Sequence, residues 1–309
     1  MSEPAHAVLD SGPSRGFLLK IGGLMLSVTG DGTFPLGVEG EKTKFIVSEG
    51  QADISLRAFL GRLPALSADE IVFDAGPVWQ LYRHKGAYLF SFSSLSFGPG
   101  PYKLALIDQA FSRGEVYVHP DFQGPGQEVD PLWSPLDQLL ISSMLGRGRG
   151  AEIHSCGVID SQGSGHLFVG VSGAGKTTMA RLWQGLPGVS ILSDDRVILR
   201  RLEGNIRMYG TPWHGEGGMA AASDAPLKRI YFLNKADQNA LQPLKGAGAA
   251  TRLFSCCFPP LYDREAVDYT LGFLGQVAQE VPCYELSVFP DERVIGFINS
   301  VTESGGSSL

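Results

Sequence analysis

The stretch Gly170-Val171-Ser172-Gly173-Ala174-Gly175-Lys176-Thr177-Thr178 decides how this 309-residue chain is read. It fits the pattern of a glycine, four residues, then Gly-Lys-Ser/Thr without a mismatch. The apolar run His166-Leu167-Phe168-Val169 enters it, and the helical run Thr178-Met179-Ala180-Arg181-Leu182-Trp183 leaves it. That is the order of strand, loop and helix that a phosphate-binding loop requires. Glycines tolerate the tight turn and let backbone N–H groups approach a polyphosphate closely, and the N-terminus of the following helix adds partial positive charge. On this reading Gly170, Ser172, Gly173, Ala174, Gly175, Lys176, Thr177 and Thr178 form a nucleotide cradle. Lys176 reaches the β and γ phosphates and the Thr177 hydroxyl ligates Mg²⁺.

Such a loop needs an acidic partner at the end of a neighbouring strand to organise the metal. Val189-Ser190-Ile191-Leu192 followed by Ser193-Asp194-Asp195-Arg196 meets that description. Repulsion between adjacent carboxylates raises the pKa of one, which can then accept a proton while the other stays ionised on the metal. The alternative is an acidic turn that merely closes a strand. Ile153 to Ile159 reads as a strand beside the loop and carries His154. Further strands are expected at Val197–Leu199, Ile206–Tyr209, Arg229–Leu233 and Cys283–Ser287, with a helix over Ala266–Glu280. Strands alternating with helices mark an α/β domain.

The preceding part of the chain reads differently. Short apolar runs at Phe17–Ile21, Leu24–Val28, Lys44–Val47, Trp79–Arg83, Ala87–Phe92, Tyr102–Ile107 and Gly114–Val118 predict a mostly antiparallel sheet domain, with a hairpin turn at His84-Lys85-Gly86. Residues 119 to 135, rich in Pro, Gly, Asp and Gln, read as a linker or long loop. A helix then follows from Pro135 to Leu145, capped by Ser134. The expected division is a disordered tail over 1–15, a β-rich domain over 16–130, a phosphate-loop domain over 131–302 and a flexible tail over 303–309.

The formal charge of -7 and pI near 5.4 argue against nucleic acid as a partner. No run has the length that spans a bilayer, and the first residues lack a secretory pattern, so a cytoplasmic location without membrane attachment is expected. Cys156, Cys256, Cys257 and Cys283 give neither a disulfide framework nor a zinc pattern. His84 and Arg83 read as solvated surface and His166 as a turn residue. His214 and Arg252 are each open between a functional and a structural role.

His154, Gly170–Thr178 and Ser193-Asp194-Asp195-Arg196-Val197 together resemble the HPr kinase/phosphorylase family, whose nucleotide domain is related to the phosphoenolpyruvate carboxykinases. The resemblance covers roughly residues 150 to 260. It implies a phosphate-loop kinase domain using ATP and Mg²⁺ to phosphorylate a serine hydroxyl on a small protein or peptide, and a multimeric assembly. It also implies Asp194 as the base, Asp195 as a Mg²⁺ partner, and His154 near the γ phosphate. The family's Glu-x-Arg-Gly signature has no full counterpart in Gly210-Thr211-Pro212-Trp213-His214-Gly215-Glu216-Gly217-Gly218. Glu216 stands in for its glutamate as a further metal ligand, and its arginine is missing.

Three other functions compete. Asn234-Lys235-Ala236-Asp237 spells a guanine-reading motif, although no Asp-x-x-Gly precedes it after the loop, so a GTP-binding switch is one. A non-catalytic ATP-binding module is another. A small-molecule kinase of the same fold is the third.

Overall fold

The computed structural model describes residues 16–304 except 33, 66–68, 123–126 and 290. The tail expected at 1–15 lies outside the described residues, as do 305–309 of the tail expected at 303–309, whose first two residues belong to the last helix. The chain is α/β and mostly strand, with two mixed sheets, and it divides into two compact units between Ile141 and Ser142.

The first unit holds β1 (Gly16–Ile21), β2 (Leu24–Gly30), β3 (Ile46–Val47), β4 (Ile54–Leu60), β5 (Glu70–Asp74), β6 (Trp79–His84), β7 (Ala87–Ser93), β8 (Pro101–Ile107) and β9 (Arg113–Val118). In sheet order they run β3-β1-β2-β4-β9-β8-β7-β6-β5. Residues alternate between the two faces in the manner of half-buried strands, with Leu24, Leu26 and Val28 inside and Met25, Ser27 and Thr29 turned the other way. The expected hairpin joins β6 to β7, and Lys85 and Gly86 both take positive φ, 48° and 81°, as a two-residue turn of matching twist demands. The sheet is mostly antiparallel, as expected, and β4 is the exception, parallel to both β2 and β9. Those pairings join strands separated by long connections, whereas short turns enforce antiparallel neighbours. His84 is buried rather than solvated, and Arg83 lies over the Tyr88 ring at 4.2 Å.

The segment read as a linker is tied into this unit. Lys103 sits on the core face of β8, in register with Phe92 and Val118, and its Nζ donates to Trp133 O at 2.5 Å. Lys42 forms an ion pair with Asp130, lies 3.4 Å from Asp137 and donates to Leu132 O at 3.2 Å. Two lysine side chains thus fix residues 130–137, which composition alone would leave in solvent. The chain continues into α1 (Leu136–Leu145).

The second unit contains β10 (Ala151–Ile159), β11 (Gly165–Val169), α2 (Lys176–Trp183), β12 (Ser190–Ser193), β13 (Arg196–Leu202), β14 (Asn205–Tyr209), β15 (Asp224–Lys235), β16 (Ala240–Pro243), α3 (Ala247–Ser255), α4 (Arg264–Glu280), β17 (Cys283–Val288) and α5 (Arg293–Ser304). Because β11 pairs with both β10 and β15, strands β11-β10-β13-β14-β15 close on themselves, and β17 and β16 extend the sheet from β15. Strands β11, β15 and β17 run parallel. Both faces of β11 are buried. Leu167 and Val169 join one apolar cluster with Ile230 and Phe232, while Phe168 joins a second with Tyr231, Met179 and Trp183. Strands covered on both sides read as continuous apolar runs, as His166–Val169 does. This packing fixes the two ends of the Gly170–Gly175 loop, one at β11 and the other at α2. No described helix is long and apolar enough to cross a membrane.

Candidate functional site

The glycine loop has the conformation its sequence demands. Gly173 and Gly175 take φ of 79° and 106°, which a side chain would strain. Gly175 precedes α2 as its N-cap with no side-chain capping bond, so the helix begins at Lys176 with its first amides on the loop side. Gly170 is required for a different reason, since a Cβ there would stand 2.6 Å from the Ala174 Cβ.

Lys176 is only 6% exposed, and its Nζ donates to Gly170 O at 2.9 Å and Val171 O at 3.2 Å. The ammonium is folded over the loop. Burial lowers its pKa, while the charges of Asp195 and, more weakly, Asp194 pull it back up. Both acids therefore act on the lysine of the loop, although they come from the turn between β12 and β13.

The two carboxylates have different surroundings. Asp194 is 1% exposed and points inward, with Oδ2 3.4 Å from the Thr177 hydroxyl. It also accepts from the backbone amides of Gly215 at 2.9 Å and Met219 at 3.4 Å on Oδ1, and of Gly217 at 2.8 Å on Oδ2. A Cβ at Gly217 would fall 2.6 Å from Asp194 Oδ2 and 3.1 Å from Thr177 Cγ2, so only glycine fits there. Asp195 turns away from this nest. Its Oδ1 lies 3.1 Å from His154 Nε2 and its Oδ2 3.0 Å from Arg196 Nε. Burial pushes the Asp195 carboxyl up, but the hydrogen bonds and charges of His154 and Arg196 outweigh it and bring the group down to about 2.

Asp194, not Asp195, is the acid beside Thr177, and its oxygens accept from that hydroxyl and from three backbone amides. The reason is local. The Ser193 hydroxyl accepts from the amides of both Asp195 and Arg196, at 3.1 and 3.0 Å, and the turn it forms sends consecutive side chains in opposite directions. Glu216 is exposed on the same loop that caps Asp194, and the described residues contain no group of three or more His, Cys, Asp and Glu able to hold a metal. The fit to Mg²⁺ is nonetheless good, because that ion takes oxygen ligands, often only one or two from the protein, and leaves the remaining positions to water and phosphate. Thr177 Oγ1 and Asp194 Oδ2 supply such a pair.

The remaining candidates fall outside this constellation. His214 is exposed and its Nδ1 bonds to Gly215 O at 2.9 Å, a role within the loop. His166 is a buried strand residue bonded to Asp160 at 2.9 Å and stacked on Trp183. Arg252 pairs with Glu285, reaches Asn234 Oδ1 at 3.4 Å and covers the Phe232 ring at 4.8 Å, so both it and the asparagine of the guanine-reading motif are engaged in a surface contact. The four cysteines are free thiols. Burial and the Asp194 charge push the Cys156 thiol far up, which makes it inert at neutral pH. Sequence reasoning passed over the amides of Gly215, Gly217 and Met219. The glycine spacing of that stretch is the only sign of them in the chain.

No family model matches the chain, and no curated protein matches it. Among solved structures it is similar to the Hpr(Ser) kinase/phosphatase from Coxiella burnetii, at 11% identity over 50% of this chain and 89% of that one, with a TM-score of 0.30. A likeness of that size is a distant relationship at most, and the chemistry has to be read from the loop and the two acids themselves.

Proposed function

We propose that the chain is an ATP-dependent phosphotransferase that passes the γ-phosphoryl group to a serine hydroxyl of a small protein or peptide. The observation that carries this reading is the meeting of Thr177 with Asp194 beside a glycine loop whose buried lysine is folded over the loop carbonyls. The resemblance of the ordered His154, loop and Asp-Asp elements supplies the acceptor class.

The amides at the start of α2 and the Lys176 ammonium bind the triphosphate, the ammonium leaving the loop carbonyls for the phosphate oxygens. Thr177 and Asp194 would hold Mg²⁺, which would neutralise phosphate charge during transfer. Asp194 is kept in place by the three amides and does not take a proton. That task falls to His154, whose Nε2–H is held by Asp195 so that the lone pair lies on Nδ1. The acceptor hydroxyl gives its proton to Nδ1, its oxygen bonds to the γ phosphorus, and the bond from phosphorus to the bridging oxygen breaks to release ADP.

The direct test incubates the purified protein with Mg²⁺ and γ-labelled ATP or GTP against small serine-bearing proteins and peptides. Label on a serine, with ATP preferred, is the expected result. Hydrolysis or binding without transfer to any hydroxyl would leave a nucleotide-binding module, and preference for GTP would restore the switch reading.

Gly217→Ala probes the metal assignment. The added methyl must displace Asp194 Oδ2 or move the loop, so the Mg²⁺ concentration giving half-maximal turnover is expected to rise about tenfold, the scale of losing an orienting contact behind a metal ligand. An unchanged Mg²⁺ dependence would remove Asp194 from the metal.

A further inference from the structure

Arg196 is held more firmly than a surface arginine needs to be. It stands opposite His154 in the β10–β13 pairing. Its amide donates to Ser193 Oγ at 3.0 Å and its carbonyl accepts from Thr211 Oγ1 at 2.7 Å. Its Nη1 lies 3.4 Å from Oε1 of Glu152, a residue only 2% exposed, and its guanidinium lies over the Phe258 ring at 4.4 Å. The same ring borders His154, with centroids 6.0 Å apart. The contacts run in series, from Glu152 through Arg196 and Asp195 to His154.

A carboxylate held at one oxygen alone can turn about its last torsion, and Asp195 meets His154 through Oδ1. Arg196 removes that freedom by occupying Oδ2. We infer that Arg196 is a positioning residue of the phosphoryl transfer, clamped by Glu152 and Phe258 so that Asp195 stays turned to His154. Its planar fork and its stacking on a ring are features that lysine does not reproduce. This inference rests on the proposed proton path through His154.

The test uses the full chain as Arg196→Gln and Arg196→Lys, with two readouts. The first is the nitrogen NMR spectrum of the histidine rings at pH 8, where the His154 signals are identified by their loss in His154→Gln. The wild type is expected to hold a proton on Nε2 alone, Arg196→Gln to give a mixture of the two tautomers, and Arg196→Lys an intermediate spectrum. The second readout is turnover. Arg196→Gln is expected to lower kcat about tenfold, a part of the roughly hundredfold or more that a general base contributes, with nucleotide KM unchanged and with partial recovery in Arg196→Lys. A single Nε2–H tautomer retained in Arg196→Gln overturns the inference, whatever happens to Tm. So does a rise of KM in step with the loss of kcat, which marks a structural role. Should the wild type transfer phosphate to no acceptor, the kinase reading falls, and the ring spectra still decide whether Arg196 sets the orientation of His154.

Discussion

Lys176→Met is expected to abolish phosphoryl transfer and to weaken ATP binding about a hundredfold while leaving the fold in place. The methionine keeps the apolar stem that the buried lysine packs into the loop and removes only the charge and its donors. The lost interaction is a hydrogen bond from a charged group to a phosphate in a half-buried setting, about 2–3 kcal/mol, which is about a hundredfold in affinity. The wild-type ammonium rests on Gly170 O and Val171 O, carbonyls at the start of the loop, so its removal frees them without reaching β11 or α2. Calorimetry with ATP, alongside the thermal transition, checks both halves of the expectation. Near-normal ATP affinity in this variant would mean that the loop binds no phosphate, and the proposed function would fall with it.

How much of this site was legible in the sequence depends on how local the signal was. The loop, its strand and its helix lie within about twenty consecutive residues, and the phosphate-loop pattern places them together from residue order alone. The acid pair was also legible as the end of a strand. Which acid faces Thr177 was not, because that choice is made by the Ser193 hydroxyl and by amides at 215, 217 and 219, twenty or more residues further on. Strand β4 is absent from the expected series, although Ile54, Leu56 and Ala58 alternate against Ser55 and Arg57 with a period of two. Its parallel pairing with β2 and β9 carried no local mark at all. The stretch 119–135 misled for the opposite reason. Its prolines and glycines have the composition of a linker, while Lys42 and Lys103, far away in sequence, supply the ion pair and the hydrogen bond that draw Asp130 and the Trp133 carbonyl inward.

Lys103 leads to the second large effect, a stability that rises with pH where most folds are flat. Burial lowers the Lys103 ammonium to about 7, against the upward pull of Asp137 and Asp130. In the unfolded chain the same group keeps its proton to about pH 10.4. Between pH 7 and pH 9 the unfolded state therefore binds more protons than the native one, and stability increases with pH by up to about 2–3 kcal/mol across the window. Neighbouring groups act elsewhere. Burial would lower the Lys42 ammonium, but Asp137 and Asp130 raise it beyond its usual value, so it titrates above this range. Burial raises the Asp130 carboxyl, an effect confined to acid. The thiols of Cys156, Cys257 and Cys283, all pushed up by desolvation, oppose the trend towards pH 9, because the unfolded thiols ionise first. Lys103→Met cancels that contribution from the comparison, since it leaves the cysteines untouched. Urea unfolding of both proteins at pH 7, 8 and 9 is expected to show the wild type gaining stability relative to the variant at each step. Parallel pH profiles would show that Lys103 keeps its proton in the folded state, and that the Asp130–Asp137 segment is held by two full positive charges.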